Sequence, residues 1–187
     1  ANTLIFVKGS GIVLNEPSVI AVNDKGKTLA VGAEAKAMLG KAPANISVVR
    51  PLQDGVISDF DRTADMLKAF LETALAVKKI RNFRVAVGVP SGVTEVEKRA
   101  VEEIVRQMGA TEVFILEEPM AAAIGAGMPV DGTTGCMIAD IGGGTSDIAI
   151  IALGGIVAST SIRHAGDKMN EAIIQYMRKR HALLIGE

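Results

Sequence analysis

The sequence predicts an α/β protein in which mixed sheets are flanked by helices, and three observations predict it. The first is the stretch Thr133 to Gly155, TTGCMIADIGGGTSDIAIIALGG, where two short apolar runs flank a glycine turn. Runs of this length, rich in Ile and Ala and bounded by turn residues, suit buried strands better than helices. The second is RVAVGVP (Arg84–Pro90), a nearly continuous apolar run of the kind found in a sheet covered on both faces. The third is Asp61 to Val77, in which Met66, Leu67, Phe70, Leu71, Ala74 and Leu75 recur with the period of an amphipathic helix.

From the amino terminus, TLIFV (Thr3–Val7), GIVLNEP and SVIAVND read as short strands. Asn23-Asp24-Lys25-Gly26-Lys27 is a turn leading into TLAVG, which predicts a hairpin. A short helix over Ala33 to Leu39 is expected to end at Gly40. Ser47–Pro51 resumes as strand, and Asp54-Gly55 signals a turn before VISDF and the amphipathic helix. The segment Lys78 to Arg84, KKIRNFR, reads as a loop with two readings open. Either it is a solvated connection with Ile80 or Phe83 tucked into the core, or those apolar tips insert at a membrane surface while Lys and Arg meet anionic head groups.

After the covered strand, Thr94-Glu95-Val96-Glu97 fits a capping box that opens a helix running to about Met108. TEVFILEE is a second buried-type strand, and Pro119 suits the first position of the helix that follows it. Glu118 thus stands where a strand gives way to a helix, a place where ligand-facing residues gather in α/β sheets. The alternative is a plain helix-start carboxylate favoured by the helix dipole. Beyond the glycine turn, Gly155–Arg163 is a further antiparallel strand, and Asp167 is an expected N-cap for a helix from Lys168 to about Arg180.

Composition narrows the function classes. The 187 residues are 49% apolar, enough to bury a substantial core in one or two domains. A formal net charge of −1 and a pI near 6.2 argue against nucleic acid as a partner. Cys136 stands alone, and His164 and His181 are too few and too far apart in sequence for a zinc site. The apolar run Ile148 to Ala158 is too short to span a bilayer, and TLIFV lacks the flanks of a signal peptide. A cytoplasmic protein is expected.

The glycine turn carries the chemistry. Asp140-Ile-Gly-Gly-Gly-Thr-Ser-Asp147 lies between strands, so neither the dinucleotide fingerprint nor the P-loop, both of which need a following helix, applies. Gly142, Gly143 and Gly144 have no side chains, so the backbone can turn several N–H groups towards phosphate oxygens. Thr145 adds a hydroxyl at the rim. Asp140 would repel a phosphate unless a hard cation such as Mg²⁺ stood between them, usually through water. The competing reading is a hairpin that needs glycines only to turn.

Taken together, DIGGGTSD after an apolar strand, EEPMAAAIGAG upstream of it, the opening ANTLIFVKGSGIVLNEPSV, and VRPLQDGVISDF, VGVPSGVTEVEKRA and SIRHAGDKMNEAI resemble the MreB family of bacterial actins. The resemblance runs through the whole chain in order. It implies an actin-like ATPase fold of two ribonuclease-H-like halves with ATP and Mg²⁺ between them. By resemblance, Asp140 acts on Mg²⁺ through water, and Gly142, Gly143, Gly144 and Thr145 grip phosphate. Glu118 would position the water that attacks the γ-phosphate, Thr145 would help orient it, and Asn2 and Thr3 would be the tail of a first phosphate loop. Asp147, Gly166 and Asp167 would line the cleft.

The family's strand ending Asp-Leu-Gly-Thr, which precedes ANTL, and its adenosine-binding glycine loop are not among these residues. The resemblance therefore implies an incomplete fold: a first large subdomain over 1–20 and 67–132, a small subdomain inserted over 21–66, and the start of a second half over 133–187. It also implies self-assembly into filaments, a role in cell shape, wall-synthesis proteins as partners, and a place at the inner face of the membrane by way of Ile80 and Phe83. Two other readings stay open: a nucleotide-silent interaction fragment, and a non-polymerising ATPase of the same superfamily.

Overall fold

A computed structural model of the chain describes residues 2–53, 55–76 and 82–186. Asp54 of the expected turn, and Lys78 to Arg81 with Ile80 of the expected membrane contact, lie outside the described residues. The chain divides into two compact units, 1–87 with 94–114 and 88–93 with 115–187.

In the first unit, β1 (Asn2–Val7) and β2 (Gly11–Pro17) form an antiparallel hairpin with a bulge between Ile5 and Phe6. A second sheet has β3 (Ile20–Asn23) between β4 (Thr28–Val31) and β5 (Ile46–Val49). The expected hairpin turn is closed by the Asn23 side chain, which accepts from the N–H groups of Lys25 and Lys27 at 3.1 and 2.8 Å. Both faces of β3 are covered. Ile20 and Val22 pack with Leu14, Met66 and Phe70, while Val19 and Ala21 pack with Ala30 and Ala35. Ala35 lies in α1 (Gly32–Ala37), which stops two residues short of the expected Leu39, and Gly40 takes a left-handed φ of 70° in the turn beyond.

A two-stranded ribbon of β6 (Leu52–Gln53) and β7 (Val56–Ile57) leads into α2 (Phe60–Leu75). Its N-cap is Asp59, whose side chain accepts from the Arg62 N–H at 3.0 Å. Met66 and Phe70, two members of the apolar stripe, are fully buried. Burying side chains of this size contributes about 1.5–3 kcal/mol each. The Thr94 capping box is formed in full at the start of α3 (Glu95–Gln107).

Two strands run from the first unit into the second: β8 (Phe83–Val89) and β9 (Ala110–Glu117), paired with each other. Thr111 Oγ1 donates to the Phe83 carbonyl at 3.1 Å, so the strands start at the same end and run the same way, with α3 as crossover. The expectation of strands covered on both faces is corrected here. Side chains of β8 alternate between half-buried and exposed, and Phe114 of β9 is 56% exposed. An unbroken apolar run reports low polarity at every position, and small residues such as Ala86 satisfy that on an open face. Phe83 opens β8 and is half-buried, rather than standing in a loop.

The second unit holds α4 (Glu118–Gly125) against a three-stranded antiparallel sheet of β10 (Cys136–Ile141), β11 (Ser146–Ala152) and β12 (Gly155–Ile162). Ala123 of α4 packs with Ala149 and Ile151 of β11, ringed by Met120, Val130, Cys136, Ile138 and Ile156. The last element, α5 (Gly166–His181), has no buried residue. Among the described residues, no helix is long and apolar enough to cross a membrane.

Candidate functional site

The second unit brings most of the expected site residues together around the β10–β11 turn. Strand pairing extends further towards the turn than the apolar runs alone predict, so Asp140 and Asp147 are themselves strand residues and stand directly opposite each other. Like charges facing across a ladder destabilise it. The Gly142 N–H donates to the Thr145 carbonyl at 2.9 Å, which leaves Gly143 and Gly144 at the tip.

The three glycines are not there for a left-handed backbone, since none has a φ in that region. For Gly142 the reason is space. A Cβ on Gly142 would stand 3.2 Å from the Thr145 carbonyl oxygen. The turn is gripped from outside by the start of α5: the Gly166 and Asp167 N–H groups donate to the Gly142 and Gly143 carbonyls at 3.1 and 2.9 Å. Ser146 Oγ adds a 2.7 Å bond to the His164 carbonyl. Gly166 is suited to this approach, because a Cβ there would lie 3.4 Å from the Gly142 oxygen. The Gly142, Gly143 and Thr145 carbonyls are thus occupied, while the Gly143, Gly144 and Thr145 N–H groups donate to no backbone carbonyl among the described residues. Successive unpaired amides on a turn form an anion-binding concavity.

Two expectations are corrected here. Thr145 is buried rather than at the rim, because it follows the tip and enters β11. Asp167 is not the N-cap of α5: that position is Ala165, which has no side-chain cap, and Asp167 lies in the first helical turn. Helix N–H groups need acceptors, and for Gly166 and Asp167 the carbonyls of the turn supply them.

Glu118 is the first residue of α4, half-buried, with its Cγ close over Gly88 of β8. Its pKa is pushed up to about 7, first by burial and then by the negative charges of Asp147 and Asp140. Asp147 is fully buried and accepts from the Ser91 N–H at 3.1 Å. No group of three or more His, Cys, Asp or Glu among the described residues converges closely enough to hold a metal ion directly. The surplus negative charge around Glu118 nonetheless fits a cation held through water by Asp140, as Mg²⁺ prefers when phosphate supplies further ligands.

Asn2 and Thr3 belong to the other unit. There the Asn2 amide donates to Asn15 Oδ1 at 2.9 Å, and the Thr3 and Ser18 hydroxyls share a bond of 2.9 Å. Gly88 and Ser91 belong to no phosphate or metal motif in the sequence. The available signal was position: they flank the end of a strand, the same placement that marks Glu118.

A family model described as MreB/Mbl protein matches residues 1–187. The cell shape-determining protein MreB of Escherichia coli (strain K12) is 53% identical over 193 aligned residues, which cover 100% of this chain and 56% of that protein. The cell shape-determining protein Mbl of Bacillus subtilis (strain 168) is 49% identical, with the same coverage of 100% and 56%. Among solved structures, MreB5 of Spiroplasma citri bound to ADP superposes with a TM-score of 0.91 at 42% identity, covering 100% of this chain and 56% of that one. The same protein bound to AMPPNP gives 0.90. The MamK double helical filament, at 22% identity and a TM-score of 0.79 over 100% of this chain and 58% of that one, shares the fold. The actin-like α/β fold implied by the resemblance is borne out, and the chain spans a little over half the length of these relatives. On sequence and fold alike, it belongs to the MreB/Mbl family.

Proposed function

We propose that this chain carries the phosphate-gripping and hydrolytic part of an ATP-binding, filament-forming cytoskeletal protein that determines cell shape. The observation that supports this most directly is the β10–β11 turn, whose Gly142 and Gly143 carbonyls are tied to α5 while the successive amides at its tip are left for an acceptor outside the chain. ADP and AMPPNP in the MreB5 structures support a nucleotide as that acceptor. The cell-shape role is supported by the family and by the names of its members, and polymerisation by the resemblance of the sequence to the bacterial actins.

In this reading the Gly143, Gly144 and Thr145 amides would hold phosphate oxygens, and Asp140 would hold a divalent cation through water. That cation, when bound, neutralises charge developing on the transferred phosphoryl group. Glu118 accepts a hydrogen bond from the attacking water and takes its proton as the new P–O bond forms and the bond to the leaving diphosphate breaks. A carboxylate whose pKa lies near 7 is suited to exchanging a proton at neutral pH. Asp147 is too deeply buried to reach substrate and acts on Glu118 through its charge.

The test is Glu118→Ala in the full-length gene product. Nucleotide affinity is expected to stay within about threefold while phosphate release falls about 10²-fold or more, the range for loss of a positioned acid–base group. Unchanged turnover would remove Glu118 from the mechanism.

A further inference from the structure

The corner that ends β8 touches the acidic site at several points, although the chemistry proposed above makes no use of it. A Cβ on Gly88 would lie 3.3 Å from Glu118 Cγ and 3.8 Å from Oε1. Three residues on, the Ser91 N–H holds Asp147 Oδ1 at 3.1 Å. At the next residue, a Cβ on Gly92 would stand 3.1 Å from Cβ of Ser161, which pairs with Asp147 across β11 and β12. One short segment therefore meets Glu118, Asp147 and the strand partner of Asp147.

Gly88 has no conformational reason to be glycine. Its φ is outside the left-handed region, and it lies inside β8, where glycine weakens a strand. What remains is the close approach of the Glu118 side chain, since 3.3 Å is tighter than ordinary carbon–carbon contact. We infer that the Gly88–Gly92 corner is a positioning element, in which Gly88 sets how closely Glu118 lies against β8 and the Ser91 amide fixes Asp147 beside it. The separation of the two carboxylates is then set by a stretch of backbone shared between them. This rests on the hydrolytic reading of Glu118.

The test is Gly88→Ala in the full-length gene product, measured for melting temperature, KM for Mg·ATP and kcat. Alanine is compatible with this backbone, so the melting temperature should hold or rise. KM should stay within about twofold while kcat falls roughly tenfold, because displacing a reacting group by a fraction of an ångström is costly. The discriminating measurement repeats the substitution in a Glu118→Ala background, where the Cγ that the new methyl group would crowd is gone. There Gly88→Ala should raise the melting temperature by more than it does in the parent, a coupling that a general structural role would not produce. Full kcat in Gly88→Ala, an equal shift of melting temperature in both backgrounds, or loss of the cooperative melt would each overturn the inference. If Glu118→Ala is inactive while Gly88→Ala is fully active, the inference alone fails; if Glu118→Ala keeps full turnover, the hydrolytic reading fails and takes the inference with it.

Discussion

Glu118 stands under opposing influences. As the first residue of α4 it meets the positive end of the helix dipole, which favours a carboxylate. Burial, Asp147 and Asp140 outweigh that influence and raise its pKa from 4.5 to about 7. Between those two values the folded chain keeps a proton that the unfolded chain has released. Folding therefore gains stability from this group at the acid end, and the gain is lost as the pH rises through about 7. Solvent access to a half-buried carboxylate screens the effect to on the order of 1–2 kcal/mol. Urea melts at acid and neutral pH should show this loss in the parent, and Glu118→Gln should flatten it by that amount. An identical pH dependence in both proteins would mean that the buried charges do not act on Glu118.

At the scale of elements, the features legible in the sequence are those closed by near neighbours. The α3 capping box needs only Thr94 and Glu97, and the β3–β4 turn needs only Asn23 and the amides that follow it. Thr94→Ala should accordingly cost about 1 kcal/mol, seen as a lower denaturation midpoint without a change in slope. An unchanged midpoint would mean that Glu97 and solvent satisfy the helix start unaided. The start of α5 was not legible, because its partners are the Gly142 and Gly143 carbonyls more than twenty residues away. Asp167 looked like a cap by type, yet the acceptors come from the glycine turn. The open faces of β8 and β9 were hidden for a related reason: periodicity reports polarity, and covering depends on which elements arrive.

Across the whole molecule, order along the chain and family membership were readable from motifs, since DIGGGTSD, EEPMAAAIG and the opening segment are each distinctive and keep their sequence. The geometry that turns them into a site was not. Nothing in the spelling of VGVPSG shows that Gly88 lies under Glu118 or that the Ser91 amide meets Asp147. Three separate stretches, 88–92, 117–118 and 140–167, converge in one unit only through sheet pairing and the return of α5. The proposed function rests on phosphate binding by the amides at the tip of the β10–β11 turn. The most direct measurement is calorimetric titration of Mg·ATP into the full-length gene product and its Gly143→Val variant, with a thermal melt of each. Binding is expected in the parent and none in a Gly143→Val variant that still melts cooperatively. Undiminished binding by that folded variant would contradict it.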